Sequence, residues 1–286
     1  MESRSHHIPL PRRTGAATRA LKAGAAAVYG FLYAPIVILV VFSFNASKRN
    51  ATWRGATLDW YRQMFSDSEV IGALLRSLEI AALSTLLATA IGTLAAVALS
   101  RYEFRGKSLY NLLIFLPIAM PEVVIGLALL TLFVSLQVTL GLWTVILAHA
   151  AFTTSFVVIV VRARLHGYER ELDEAAADLG ATPWQTFLHV TLPIIAPGIL
   201  AGALLAFTLS FDDFVITFFN SGAGSTTLPL KVYSMIKFGV SPMINAVSTT
   251  MLVVTLAAML CADRLERAGH KASALTNDAT KSGHMR

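Results

Sequence analysis

Six long apolar stretches dominate this sequence and restrict what the chain can fold into. Crossing about 30 Å of hydrocarbon takes roughly 20 apolar residues of helix. Six windows meet this length: Gly24–Phe44, Ser77–Leu99, Leu109–Val134, Leu142–Val161, Ile195–Phe219 and Met243–Cys261. The windows are apolar on every side, unlike the alternating strands of a membrane β-barrel. The sequence therefore predicts an all-α integral membrane protein with six transmembrane helices, and a mean hydropathy of +0.63 excludes an ordinary soluble domain.

Lysine and arginine are distributed unevenly between alternate loops. If the N-terminus is inside, the inner segments hold 16 of the 23 basic residues. Because basic residues favour the cytoplasmic side, both termini are predicted to be cytoplasmic. The tails are then 1–23 and 263–286, and the transmembrane domain is 24–262. The basic residues lie in scattered loops beside the spans, where they suit membrane lipid headgroups and give no nucleic-acid footprint.

One polar segment, 162–194, has the pattern of a helical hairpin. Four apolar residues form a single helical stripe: Leu172, Ala175, Ala176 and Leu179. Gly180 is placed to end that helix, and Thr182-Pro183 is a start signal for a second one. We expect Pro193 and Pro197 to stop this second helix before the fifth span. The apolar faces need a partner, either a docked protein, the chain's own surface or the headgroup region; five acidic residues against one arginine in 169–178 disfavour an anionic membrane surface.

The hairpin also carries a motif. It reads Glu-Ala-Ala, three residues, Gly, nine residues, then Val190-Thr191-Leu192-Pro193, and it resembles the EAA loop of bacterial ABC importer permeases, which has isoleucine at the position of Val190. The resemblance implies the type I ABC importer permease fold, with the hairpin as a coupling helix inserted into a cleft on a cytoplasmic ATP-binding subunit. The residues that it assigns to ATPase coupling are Glu174, Ala175, Ala176, Asp178, Gly180, Leu192 and Pro193.

Further segments resemble the polyamine (spermidine/putrescine) permeases, C-type subunit. They are residues 33–45, 209–222, 226–242 and 244–246, although Met243 stands where many of these relatives carry an acid. The resemblance implies a pore-forming permease for polyamines in the bacterial inner membrane. It also implies a second homologous permease subunit and an extracytoplasmic substrate-binding protein that meets the outer loops 45–76 and 220–242.

Carboxylates within the predicted spans are the candidates for a cation pathway. A charge at mid-bilayer costs roughly 2.5–3.5 kcal/mol, so it normally faces a cavity or a partner. Glu79 lies near the headgroups, which leaves Glu122, Asp212 and Asp213 as candidate substrate-pathway residues. We expect at most one of the adjacent aspartates to face the pore while the other caps or bonds a neighbouring helix. His149 is interpreted as a neutral interhelical hydrogen-bonding residue.

Several classes of function are possible for a chain with these features. The sequence has no G-x-x-x-x-G-K-[ST] motif, so ATP must be bound and hydrolysed by another chain, and we expect no catalytic residue, metal or cofactor here. An ion-coupled secondary transporter could use buried acids, but it would not need the hairpin. An intramembrane enzyme would need a nucleophile–base or metal constellation. Within the importer class, another small cationic or amine-bearing solute is the alternative substrate.

Overall fold

The computed structural model describes residues 15–47, 52–166, 171–238, 242–260 and 264, and within these ranges the chain is almost entirely helical. Its helices are α1 (Gly15–Phe42), α2 (Asp59–Ser66), α3 (Ser68–Arg101), α4 (Lys107–Ala119), α5 (Glu122–Ser135), α6 (Leu142–Leu165), α7 (Glu171–Asp178), α8 (Pro183–Thr186), α9 (Leu192–Phe211), α10 (Val215–Asn220), α11 (Leu228–Phe238) and α12 (Met243–Leu260). One antiparallel bridge, Asn45 with Ala56, closes the loop after α1.

Five helical segments of the described chain are long and apolar enough to span a membrane. They lie in α1, α3, α6, the continuous helix from Pro183 to Phe211, and α12. The bent pair α4–α5 brings the number to six when it is counted as one span. The all-α fold class is confirmed, although α1 already begins at Gly15, inside the predicted tail, because its Ala-rich start favours helix beyond the apolar window. Cys261 lies outside the described residues.

The third span is not the single helix predicted for Leu109–Val134. The helix axis bends by 115° between α4 and α5. Pro121 has no backbone N–H to donate and forces the residue before it out of the helical region, and Met120 is accordingly extended at φ −89°, ψ 144°. Glu122 therefore lies in the first turn of α5 and not in the middle of a continuous span.

The fifth span also differs from the prediction of Ile195–Phe219. Helix α9 ends at Phe211, and a new short helix, α10, starts at Val215. The two adjacent aspartates, Asp212 and Asp213, occupy the break between these helices. Interruptions of this kind are tolerated at membrane depth only where protein or a water-filled cavity satisfies the freed backbone groups.

The expectation that Pro193 and Pro197 end the second hairpin helix is wrong. A π-helical turn, Phe187–Thr191, joins α8 to α9 without a break. In this turn the Leu192 N–H bonds the carbonyl five residues back, on Phe187. The wider turn places Pro193 in the first turn of α9, where a missing N–H costs least.

The centre of the bundle consists of α3, α6 and α9 packed along one another. Small residues let the backbones approach: a Cβ on Gly92 would lie 2.8 Å from Val157, and one on Gly202 would lie 3.4 Å from it. Close approach at glycine is the usual way that membrane helices gain packing contacts. By contrast, no part of the α1 span is buried by the rest of the described chain.

Candidate functional site

The hairpin consists of α7 and α8 with a tight glycine turn between them. The Ala181 N–H bonds the Ala176 carbonyl at 3.0 Å, and the Gly180 N–H bonds the Ala177 carbonyl at 2.9 Å. This is a Schellman motif, and Gly180 has the left-handed φ of +84° that it requires. The predicted end of the first hairpin helix at Gly180 is confirmed.

The second hairpin helix starts with a capping box. Thr182 accepts from the Gln185 N–H at 3.4 Å, and the Thr182 N–H donates to Gln185 Oε1 at 2.8 Å. Pro183 follows at the first helical position, as predicted. Local sequence signals therefore fix both helix ends at the turn, so that the turn keeps one shape.

The tip of the hairpin exposes large apolar side chains. Leu179 is 90% exposed and Trp184 is 63% exposed, while Trp184 stacks on Phe187 with ring centroids 5.5 Å apart. Of the predicted coupling residues, Glu174, Ala175, Asp178, Gly180 and Pro193 are exposed, and Ala176 and Leu192 are half-buried. Large apolar side chains exposed close to acidic residues in the chain are typical of a protein-interaction site.

An ion pair that the sequence does not predict joins this hairpin to the bundle. Arg101, the last residue of α3, forms an ion pair with Asp173 on α7, with Nη2 and Oδ2 2.9 Å apart. The two residues are far apart in sequence: Asp173 is one of several acids on the predicted first hairpin helix, and Arg101 is one of several basic residues at an inner loop. No local pattern could have paired them.

The intramembrane acids divide into two exposed carboxylates and one buried carboxylate. Glu122 and Asp212 are exposed on the surface of the chain, whereas Asp213 is only 8% exposed. The three lie within direct electrostatic range of one another. In the described part of the chain, neither Glu122 nor Asp212 has a basic side chain within ion-pairing distance. Two bare carboxylates on an apolar surface need water, a cation or another subunit.

Asp213 is held by a network at the break between α9 and α10. Its carboxylate accepts from the backbone N–H of Thr217 at 2.9 Å and lies 3.2 Å from Nε2 of His149 on α6. His149 Nδ1 in turn lies 2.7 Å from Ser210 Oγ, which is 2.9 Å from Ser84 Oγ on α3. This network connects α3, α6, α9 and α10. It places Asp213 as a cap for α10 and His149 as an interhelical hydrogen-bonding residue.

Helix α10 is also fixed against α5, which carries Glu122. Asn220 Nδ2 donates to the Gly126 carbonyl at 3.1 Å, and the packing at Gly126 is tight, since a Cβ there would lie 3.0 Å from the Phe219 ring. Because α5 and α10 pack as one unit, their N-terminal ends bring Glu122 near the aspartates of the break. The two broken spans thus supply the two exposed carboxylates.

At the end of the bundle opposite the hairpin, a cavity of about 660 Å³ opens between α3 and α11. Its lining includes Glu69, Arg76, Phe218, Lys231 and Tyr233. Lys231 is paired with Glu69, and Arg76 is paired with Glu79 at 2.7 Å. The Glu79 carboxylate therefore has a basic partner just outside the predicted window, and it needs no pathway role.

Comparison with known proteins places the chain in a family. Residues 88–269 match the family described as binding-protein-dependent transport system inner membrane component. The spermidine/putrescine transport system permease protein PotC of Escherichia coli K12 is 41% identical over 241 residues, which cover 84% of this chain and 91% of that protein. The putrescine transport system permease protein PotI of the same strain is 46% identical over 231 residues, which cover 78% of this chain and 82% of that protein.

Solved structures support the same fold at greater sequence distance. A chain of a bacterial ABC transporter involved in the import of the acidic polysaccharide alginate aligns with a TM-score of 0.71 and 19% identity, covering 88% of this chain and 95% of that one. The predicted importer permease fold is confirmed by this likeness. The chain belongs to the family of binding-protein-dependent transport system inner membrane components.

Proposed function

We propose that this chain is the pore-forming permease subunit of an ATP-driven importer and that it translocates polyamines across the inner membrane. The observation that carries the substrate class is the pair of exposed carboxylates, Glu122 and Asp212, on an otherwise apolar surface. A polyamine carries several positive charges, and it leaves water only where negative charge offsets them. The named substrates of PotC and PotI, spermidine and putrescine, belong to this class.

The partners follow from the same proposal. An ATP-binding subunit docks on the hairpin tip around Leu179 and Trp184, where apolar side chains are left uncovered. A second permease subunit covers the surface that bears Glu122 and Asp212, so that the pathway runs between the two permeases. An extracytoplasmic binding protein delivers the solute at the opposite end, beside the cavity between α3 and α11. Closure of the ATPases moves the hairpin and switches the side to which the pathway opens.

Reconstitution tests this proposal. The chain is purified with its second permease and ATPase and placed in proteoliposomes, with ATP trapped inside and binding protein and labelled putrescine or spermidine outside. We expect accumulation that requires internal ATP and is reduced by unlabelled polyamines. Ionophores that collapse proton and sodium gradients should leave it unchanged. Accumulation that follows an ion gradient without ATP would instead indicate an ion-coupled secondary transporter.

The proposal also fixes the orientation, with both termini and the hairpin in the cytoplasm. Two exposed arginines on opposite sides give a matched test: Arg105, between α3 and α4, and Arg54, before α2. Each is changed to cysteine in a chain whose single native cysteine, Cys261, is replaced by serine. A membrane-impermeant maleimide should label Arg54→Cys in intact spheroplasts and Arg105→Cys only after permeabilisation. The reverse pattern would place the hairpin where no ATPase can reach it.

A further inference from the structure

Helix α3 connects the two ends of the bundle. It runs from Ser68 to Arg101, and 34 residues at about 1.5 Å each make a rod of roughly 50 Å. It is packed along α6 and α9 for much of its length, and its buried residues run from Val70 to Leu99. A helix held in this way moves as one body, so that a displacement applied at one end reaches the other.

At the hairpin end, Arg101 contacts two different elements among the described residues. Nη2 lies 2.9 Å from Asp173 Oδ2 and 3.1 Å from Asp173 Oδ1, and it donates to Thr191 Oγ1 at 2.7 Å. Asp173 belongs to α7, directly before Glu174 of the Glu-Ala-Ala motif, and Thr191 belongs to the π-helical turn that leads into α9. One guanidinium thus fastens α3 to both arms of the hairpin.

These contacts are sheltered from water. The side chains of Arg101 and Asp173 are 19% and 25% exposed, and Thr191 is fully buried. Exposed ion pairs contribute little because water and salt screen them. A charge-assisted pair that is largely removed from water and bonded to a buried hydroxyl holds its geometry better.

The opposite end of α3 is fastened to α11. Ser77 Oγ accepts the Leu228 N–H at 2.8 Å, and the Glu69 carboxylate is paired with Lys231. These contacts border the outer cavity, which is lined by residues of both α3 and α11. A shift of α3 along or across the bundle therefore changes the shape of that cavity.

We propose that Arg101, Asp173 and Thr191 form a positioning clamp that transmits movement of the hairpin to α3, and through α3 to the outer cavity. The proposal rests on the proposed function, in which the ATPase docks on the hairpin. Without the clamp, the hairpin would still be joined to α9 through the π-helical turn, and the ATPase could still bind its exposed tip. The movement of the ATPase would then reach α3 only through its packing in the bundle, so that ATP hydrolysis would be coupled less tightly to transport.

Four variants test the clamp in the reconstituted complex. Arg101→Gln and Asp173→Asn remove one charge each, the double change Arg101→Asp with Asp173→Arg restores a pair in reverse, and Arg105→Gln is the control. Arg105 is an exposed arginine a few residues beyond Arg101, and in the described structure it forms no ion pair. For each variant, three quantities are measured: the amount of co-purified ATPase, the rate of ATP hydrolysis with binding protein, and the polyamine accumulated.

We expect Arg101→Gln and Asp173→Asn to retain the co-purified ATPase and the rate of ATP hydrolysis. The polyamine accumulated per ATP should fall by about tenfold, which is within the range of single-residue coupling effects. Arg105→Gln should match the wild type, and the charge-reversed pair should recover part of the loss. Unchanged accumulation per ATP in both single variants would overturn the proposal. So would loss of co-purified ATPase in proportion to transport, because the clamp would then only hold the hairpin in shape. If the wild type itself binds no ATPase, the proposed function fails first and the clamp fails with it.

Discussion

Changing Glu122 to glutamine or Asp212 to asparagine is expected to lower polyamine uptake at least about tenfold, which corresponds to about 1.4 kcal/mol. Both carboxylates are exposed, lie within electrostatic range of each other and form no ion pair in the described chain. A cation between them offsets their mutual repulsion. The two carboxylates in turn compensate the cation for its loss of hydration. The amide variants keep the shape of the side chains and one acceptor oxygen but remove the charge, so that a loss of uptake reports mainly the charge.

Two further variants separate a pathway role from a structural one. Asp213→Asn removes the charge of the buried cap on α10 next to His149, and it should lower the amount and thermal stability of the complex. Glu103→Gln removes a highly exposed carboxylate in the loop between α3 and α4 and should change nothing. The measurement is the initial rate of labelled putrescine and spermidine uptake, divided by the amount of complex in the membrane. Normal uptake in both Glu122→Gln and Asp212→Asn would remove these carboxylates from the pathway and leave selection to the binding protein.

The fold alone would not have indicated these residues. An alginate transporter, which handles an acidic polysaccharide, shares the fold at 19% identity. A shared architecture positions spans and a hairpin, whereas the solute is selected by the groups that line the path. The two unpaired carboxylates therefore indicate the class of substrate, whereas the architecture indicates an importer.

Much of the hairpin could be predicted because its signals are local. Gly180 ends α7 through its left-handed backbone, and Thr182 with Pro183 starts α8, each within a few residues of the feature it controls. The role of Pro193 differs from the prediction, because a proline usually ends a helix. The π-helical turn before it supplies the widened geometry that lets the helix continue, and nothing in a single sequence distinguishes that outcome from a break.

The sequence shows which carboxylates lie within the apolar windows, but it does not show how they are arranged. The apolar windows Leu109–Val134 and Ile195–Phe219 extend past Pro121 and past Asp212-Asp213. Each window therefore predicts one span, although the helices break at these residues. Which aspartate turns inward depends on the contact of Asp213 with His149, a residue of another helix. Long-range contacts of this kind, like that of Arg101 with Asp173, arise only when the spans are packed together.

Disturbing the hairpin turn is expected to lower transport about as strongly as removing the charge of Glu122 or Asp212. Gly180→Val places a β-branched residue at φ +84°, and Glu174→Lys reverses the charge of an exposed motif residue. A Cβ at Gly180 meets no atom within 4 Å, so that the valine variant suffers from backbone strain of about 1–2 kcal/mol and not from a clash. Both variants should insert into the membrane at normal levels, while uptake falls to about a tenth or less because the ATPase no longer engages the hairpin.

Two glycine variants provide matched controls. Gly180→Asn keeps a residue that tolerates the left-handed region, and it should retain most of the uptake. Gly106→Val introduces the same strain at φ +91° in open space, but in the loop between α3 and α4 and outside the hairpin. It should therefore lower uptake far less than Gly180→Val does.

The most direct test of ATPase coupling through this hairpin compares ATP-driven polyamine accumulation in proteoliposomes of wild type, Gly180→Val, Glu174→Lys and the two controls. Co-purified ATPase is measured in each preparation. We predict that accumulation and bound ATPase fall together in Gly180→Val and Glu174→Lys and persist in Gly180→Asn and Gly106→Val. Full accumulation with normal ATPase binding in both Gly180→Val and Glu174→Lys would contradict the assignment of the hairpin as the coupling element.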